Sequence, residues 1–326
     1  MMWNRRQALS LLTGAASGVL ARAQEPDQTI KVDVSLVNLL CSVRDKRGGY
    51  IRNLNKEDFT ITEDNKNQDI RYFARETNLP LTMGLLVDVS KSQERLLDIE
   101  RRAASAFFRS MLKEKDMAFL IQFGADAELL QDLTNSARLL EKGLNDIRLS
   151  VNVGAMHQGT IPSSSRPKGT IMYDAVQLAA TEKLKGEVGR KAIILLTDGM
   201  DFGSHFSREE AVAAAQRSDA IIYGIYYADN GAYGGFGGGG ISFGGASDGD
   251  LKKMAEETGG RVFHVDRKNT LDDVFKELQE EMRSQYALGY SPTNVVRDGG
   301  FRKIDIRTGN KDYKVQARKG YFADKG

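Results

Sequence analysis

The chain has 326 residues, 41% hydrophobic and 28% charged, with a net charge of +2. That is room for one large or two modest domains, and the near-neutral balance excludes a disordered chain and the strong basic excess of a nucleic-acid binder. A single cysteine, Cys41, and three histidines, His157, His205 and His264, exclude an intramolecular disulfide and any cysteine-held zinc or iron–sulfur centre, and leave little for a Ser-His-Asp engine.

Taken from the start, Arg5 and Arg6 precede the apolar stretch Ala8–Leu20 and then Ala21-Arg22-Ala23, the order of a secretory signal. The stretch is shorter than the ~20 residues of a bilayer-spanning helix. Residues 1–23 are therefore expected to be a signal peptide, cleaved after Ala23 and read by the Sec or the twin-arginine route. Cleavage removes three arginines and no acid, leaving 43 basic against 44 acidic residues. The mature chain is expected in the periplasm or outside the cell, as a monomer without a membrane span.

Residues 24–78 have β texture. Ile30, Val32, Val34 and Leu36 alternate with polar residues, and Leu39, Cys41 and Val43 continue in the opposite phase, which predicts a bulge or break near Val37. Phe59 and Ile61, a turn at Asp64–Asn67, then Ile70 and Tyr72 predict a hairpin. Residues 79–286 alternate between the strand and helix periods. Strands are predicted at Leu81–Val87, Met117–Phe123, Glu128–Leu133, Ala192–Leu196, Ile221–Tyr227 and Val262–Val265. Helices are predicted at Glu94–Leu112 (stripe Leu96, Ile99, Ala103, Phe107, Met111), Ser136–Ile147, Tyr173–Leu184, Arg208–Arg217, Leu251–Thr258 and Leu271–Tyr286, the last capped by Asn269 or Thr270. Apolar strands separated by amphipathic helices predict a doubly wound, mainly parallel α/β sheet. Residues 287–326 return to strand texture, with Ile304 and Ile306, then Val315 and Ala317, alternating with charges. Neither β end is long enough for a sandwich alone, since such folds need ~100 residues and about seven strands. The two ends are expected to pair into one small β-sandwich with the α/β domain inserted between them. Two loops interrupt that domain: polar Leu149–Gly169, and Gly231–Gly249 with ten glycines in nineteen positions. Neither is a phosphate cradle, because no Gly-x-Gly-x-x-Gly follows a strand.

The chemistry concentrates at strand ends. The first apolar strand of the α/β section runs into Asp88-Val89-Ser90-Lys91-Ser92, Gly169 precedes Thr170, and a second central strand ends in Thr197-Asp198-Gly199. Open α/β sheets carry their ligand sites at the carboxyl edge. Carboxylates and hydroxyls are hard oxygen donors, suited to Mg2+, with Mn2+ or Ca2+ as alternatives, rather than zinc or copper. No nucleophile, histidine or lysine joins Asp88 and Asp198, so an acid–base enzyme is not expected. His205 reads as a solvated loop residue.

This Asp-x-Ser-x-Ser, Gly-Thr and Thr-Asp-Gly set resembles the von Willebrand factor type A domain. The resemblance implies a metal-ion-dependent adhesion site in which Ser90 and Ser92 bind the metal directly and Asp88, Thr170 and Asp198 bind it directly or through water. Val32–Asp45, Leu54–Asp64, Glu257-Thr258-Gly259-Gly260, Arg283–Asn294 and Arg318-Lys319-Gly320-Tyr321 further resemble the acidobacterial-type VWFA-related family of exported bacterial proteins. The expected function is an exported, metal-dependent protein-binding module whose cation takes an Asp or Glu from a protein partner. A structural envelope protein with an idle site, or a magnesium-dependent hydrolase using Asp88 and Asp198, are the alternatives.

Overall fold

The computed structural model describes residues 36–75, 79–90, 96–149, 170–227 and 248–323. Residues 1–23, Ile30, Val32, Val34, Ser92, His157, nearly all of the polar 149–169 loop and the glycine-rich loop up to residue 247 lie outside these; Gly249 opens a helix instead.

The central sheet follows from long apolar runs. β5 (Leu81–Asp88) and β8 (Arg190–Thr197) are buried at every position, as strands covered on both faces must be. With β6 (Met117–Phe123), β7 (Ala127–Thr134), β9 (Ala220–Tyr226) and β10 (Val262–His264) they form a six-stranded sheet in the order β10-β9-β8-β5-β6-β7. All neighbours are parallel except β7, which runs antiparallel to β6. One face packs on α1 (Leu97–Met111), α2 (Ala137–Asn145) and α6 (Leu271–Arg283). The other packs on α3 (Met172–Leu178), which continues as a π-helical turn over Ala179–Leu184, on α4 (Arg208–Arg217) and on α5 (Gly249–Thr258). Thr270 caps α6 in a reciprocal box with Asp273.

The centre of this sheet tolerates little change. Gly84 lies opposite Phe119 in the β5–β6 register, and a Cβ there would sit 2.2 Å from the buried Phe119 ring. Gly84→Ala is expected to destabilise the fold by about 2–3 kcal/mol through overpacking, read as a lower denaturation midpoint at unchanged m-value.

Both chain ends build the second body. β1 (Val37–Arg44), β11 (Tyr286–Tyr290), β4 (Ile70–Arg75) and β13 (Lys314–Ala317) form one four-stranded sheet, and β2 (Phe59–Glu63), β3 (Lys66–Gln68), β12 (Phe301–Thr308) and β14 (Gly320–Phe322) the other. Val37, Leu39, Cys41, Val43, Phe59, Ile61, Leu288, Tyr290, Ile304 and Ile306 share one buried core between the sheets. Glu63, 2% exposed, accepts hydrogen bonds from the Tyr290 hydroxyl at 2.6 Å and the Tyr321 hydroxyl at 3.0 Å. The α/β domain enters and leaves through one point: the Arg190 guanidinium, 5% exposed, donates to the Leu79 carbonyl just before β5 and to the Met282 carbonyl at the end of α6.

Four expectations are corrected. The hairpin partner of β2 is β3, closed through left-handed Asp64 and Asn65, while β4 crosses to the other sheet beside β11. Tyr72 is exposed and does not share the core face with Ile70, because a register shift at Gly289/Tyr290 changes the phase and turns Phe73 toward the core instead. On α1, Ile99 faces solvent, and the buried arc instead takes in Leu97, Glu100, Ala104 and Phe108, since α1 packs between α2 and α6 as well as on the sheet. The last helix ends at Arg283, and Tyr286 is already in β11. Buried Ser284 and Gln285 make the corner, held by Arg52 Nε donating to Ser284 Oγ at 2.7 Å and Gln285 Nε2 donating to the Tyr223 hydroxyl at 2.9 Å.

Candidate metal centre at the carboxyl edge

Four segments meet where β5, β6 and β8 end. Asp88 closes β5, fully buried, and Val89 N–H donates to the Phe123 carbonyl of β6 at 2.8 Å. Thr170, 7% exposed, arrives beside the same edge, because the next amide, Ile171 N–H, donates to the Gly124 carbonyl at 2.9 Å. Asp198, 5% exposed, follows β8, the neighbour of β5. The loop after it is tied back: Phe202 N–H donates to the Thr170 carbonyl at 2.8 Å and Tyr173 N–H to Asp201 Oδ1 at 3.1 Å. The fold thus brings together Asp88, Ser90, Thr170 and Asp198. Ser92 lies outside the described residues.

Asp88 is held rather than free to turn. Its Oδ2 accepts from the Thr197 hydroxyl at 2.7 Å and its Oδ1 from Ser90 N–H at 2.9 Å, and the Ser90 hydroxyl also bonds it. Thr197 Oγ1 in turn accepts from Gly199 N–H at 3.1 Å. Burial, reinforced by the charge of Asp198, pushes the Asp88 carboxyl up to about 6, against the pull of the Thr197 and Ser90 hydrogen bonds. Among the described residues Asp88 has no lysine or arginine partner. Two buried carboxylates that repel each other, rimmed by hydroxyls, fit a hard divalent cation, which would supply the missing positive charge. Among the described residues no group of three or more His, Cys, Asp or Glu side chains forms a metal cage. The described donor set is one of oxygens, two carboxylates and two hydroxyls.

Two residues escaped the sequence reading. Thr197 is the clamp on Asp88, and its only linear signal was its place beside Asp198. Glu100 is 2% exposed on the inner face of α1. Burial, then the charge of Asp88, pushes its carboxyl up to about 8. His205 is exposed, and its ring meets Asp174 at 2.7 Å rather than Asp88. His264 likewise pairs with Asp248, at 2.8 Å. Cys41 is buried in the sandwich core.

This geometry defines a von Willebrand type A fold, and the comparisons agree. The profile of the von Willebrand factor type A domain matches residues 83–277, and the chain belongs to that family. Its domains commonly mediate protein interactions, are mostly non-enzymatic, and often bind a divalent cation at a metal-ion-dependent adhesion site. No curated protein matches the chain. Similar solved structures include an aerotolerance-related membrane protein from Bacteroides fragilis, at 18% identity over 62% of this chain and 98% of that one, TM-score 0.45. BatB from Bacteroides thetaiotaomicron is 20% identical over 62% of this chain and 97% of that one, TM-score 0.44. Proximal thread matrix protein 1 from the mussel byssus, with a zinc-occupied MIDAS motif, is 14% identical over 68% of this chain and 50% of that one, TM-score 0.47. Among the described residues no helix is long and apolar enough to cross a membrane.

Proposed function

We propose that this protein is an exported interaction module that captures an Asp or Glu side chain of a protein partner through a divalent cation, Mg2+ first and Mn2+ or Ca2+ as alternatives. Asp88, Ser90, Ser92, Thr170 and Asp198 would hold the ion. The observation that carries the reading is the convergence of Asp88, Ser90, Thr170 and Asp198 at one sheet edge, with Asp88 buried and, among the described residues, without a lysine or arginine partner. A bound cation supplies a coordination position that a carboxylate oxygen can complete. The protein's own part is to fix the donors: Thr197 and Ser90 hold Asp88, and the Phe202–Thr170 bond joins the two loops that carry Asp198 and Thr170. Binding rather than turnover is favoured because Cys41, His205 and His264 are all engaged elsewhere. Export rests on the composition of residues 1–23. A division at residues 24–78, 79–286 and 287–326 is the matching domain scheme.

Calorimetry tests the reading. Mg2+ is expected to bind with one-to-one stoichiometry, and a short glutamate-containing peptide is expected to bind only when Mg2+ is present. Peptide binding that survives EDTA unchanged, or no heat on adding Mg2+, Mn2+ or Ca2+, would overturn it.

A further inference from the structure

We propose that the loop after Asp198 is the partner-reading surface of the cation site: Phe202 and Phe206 form an apolar rim that receives a bulky apolar side chain lying next to the carboxylate the cation takes. The inference rests on the cation reading above and names the kind of partner that reading leaves open.

The loop between β8 and α4 holds two phenylalanines in solvent. Phe202 is 57% exposed and Phe206 40%. Among the described residues neither ring packs on a hydrophobic core cluster. Single exposed apolar side chains are common on protein surfaces, whereas apolar groups gathered in one place mark interaction sites. Position sets these two apart. Phe202 N–H donates to the carbonyl of Thr170, one of the candidate donors, at 2.8 Å, so its backbone stands directly against the site. Phe206 N–H donates at 3.0 Å to Asp174 Oδ1, in the first turn of α3, the helix that Thr170 leads into.

The backbone that presents the rings is held in place. Asp201 Oδ1 accepts from Tyr173 N–H at 3.1 Å and from the Ser204 hydroxyl at 2.6 Å. Ser204 Oγ accepts from Asp174 N–H at 3.2 Å, and Asp174 Oδ1 accepts from His205 N–H at 2.8 Å. These bonds tie the loop to the start of α3, so little backbone order remains to be imposed on binding. They also occupy the loop's charges. Asp174 Oδ2 meets the His205 ring, Glu209 pairs with Arg208, and Glu210 accepts from Ser207. Each carboxylate from Asp201 to Glu210 is thus engaged within the protein, and the surface left for a partner beside the cation is aromatic.

Complementarity then names the occupant. The cation edge takes a carboxylate, and the adjoining loop offers two rings, so the fitting partner carries an Asp or Glu next to a bulky apolar residue such as Leu or Phe. Aromatic side chains are enriched among the residues that dominate interface energies, and the contacts around them keep water out. Excluding water from the bond between cation and carboxylate lowers the local dielectric and strengthens that bond.

The test uses the full chain in saturating Mg2+ and two fluorescent peptides, each with a single Glu, one with Leu beside it and the other with Ser. Fluorescence polarisation is expected to show the Leu peptide bound at least about tenfold more tightly by the wild type, the scale of burying one such side chain. In Phe202→Ala and Phe206→Ala the two peptides are expected to come within about threefold of each other, as expected when an interface anchor is truncated. Phe202→Leu restores an apolar group and is expected to keep the preference. Mg2+ affinity by calorimetry and the melting temperature are expected to stay at the wild-type values in the alanine variants, because both rings stand in solvent. Val188→Ala removes an apolar side chain that is 77% exposed at the other end of β8, and it is expected to change nothing. Equal affinity of the wild type for the two peptides, or a preference that survives in both alanine variants, would overturn the proposal. So would a Phe202→Ala variant that loses Mg2+ affinity in step with the peptide, since the ring would then only brace the loop. Wild-type protein that binds no Mg2+, Mn2+ or Ca2+ refutes the cation reading and this inference together, as does one that binds the ion but neither peptide. A wild type that binds the ion and both peptides alike refutes this inference alone.

Discussion

Asp88→Ala is expected to cost at least about a hundredfold in Mg2+ affinity, because it removes both a charge and the group on which Ser90 is organised. In the wild type the Asp88 carboxylate accepts from Thr197 Oγ1, from Ser90 N–H and from the Ser90 hydroxyl. Alanine leaves a buried hydroxyl and an amide without their acceptor, so some loss of stability accompanies the loss of binding. Asp88→Asn separates the two effects, since it keeps the volume and removes the charge. In EDTA the sign of the pH dependence follows from the raised carboxyl. Asp88 moves from an ordinary 3.8 to about 6 on folding, so the folded protein binds its proton more tightly than the unfolded chain does. The stability that Asp88 contributes is then fully present below about pH 4 and is lost as pH rises through 6, by about 3 kcal/mol for a shift of this size. Saturating Mg2+ is expected to remove that decline, because a bound cation favours the ionised form. Denaturant midpoints of the wild type and Asp88→Asn from pH 4 to 8, with and without Mg2+, check this. A wild-type profile as steep in Mg2+ as in EDTA would place the cation away from Asp88.

Arg261→Met is expected to destabilise the whole molecule by about 3–5 kcal/mol, the scale of a buried ion pair broken from one side. Arg261 follows α5 and stands where the two bodies meet. Its Nε donates to Glu281 of α6, and its Nη2 donates to Glu277 at 2.7 Å and to the Tyr50 hydroxyl at 3.0 Å. Tyr50, from the sandwich, donates its hydroxyl hydrogen bond to Glu281 Oε2 at 3.0 Å. The guanidinium also stacks 3.9 Å from the centre of the Phe263 ring. The Glu281 side chain is 1% exposed, so removing Arg261 strands a carboxylate that water cannot reach. Glu277, with a side chain 43% exposed, is the control, and Glu277→Ala is expected to cost less than about 1 kcal/mol. The double variant Arg261→Met/Glu281→Met is expected to recover most of the loss, since the burden is the unpaired charge rather than the absence of a pair. Chemical denaturation read separately from the two bodies would show one transition in the wild type. An Arg261→Met cost below about 1 kcal/mol would remove this network as the junction's main polar tie.

Much of this was legible along the chain because it is local. The unbroken apolar runs of β5 and β8 announce strands covered on both faces. The amphipathic periods of α2 and α6 and the Thr270 cap are short-range patterns, and Asp88, Ser90, Thr170 and Asp198 are each flagged by their position beside a strand end or a glycine. Even the inserted topology follows from counting, since two β segments too short to bury a core separately must share one. What the linear pattern lacked was the phase between segments far apart. A one-residue shift at Gly289/Tyr290 decides that Phe73 rather than Tyr72 meets the core. The same kind of relation sends β4 to the sheet of β11 and leaves β2 with β3. Helix periodicity alone favoured a stripe through Ile99. The packing of α1 between α2 and α6 rotated the buried arc onto Glu100, a charged residue that no hydrophobic pattern would select. Thr197 on Asp88, Arg190 across Leu79 and Met282, and Arg261 on Tyr50 and Glu281 join residues up to 211 positions apart. Composition and periodicity report how one segment can bury itself. The partners of a buried charge are chosen only when separate segments reach a common register, and that choice belongs to the tertiary structure.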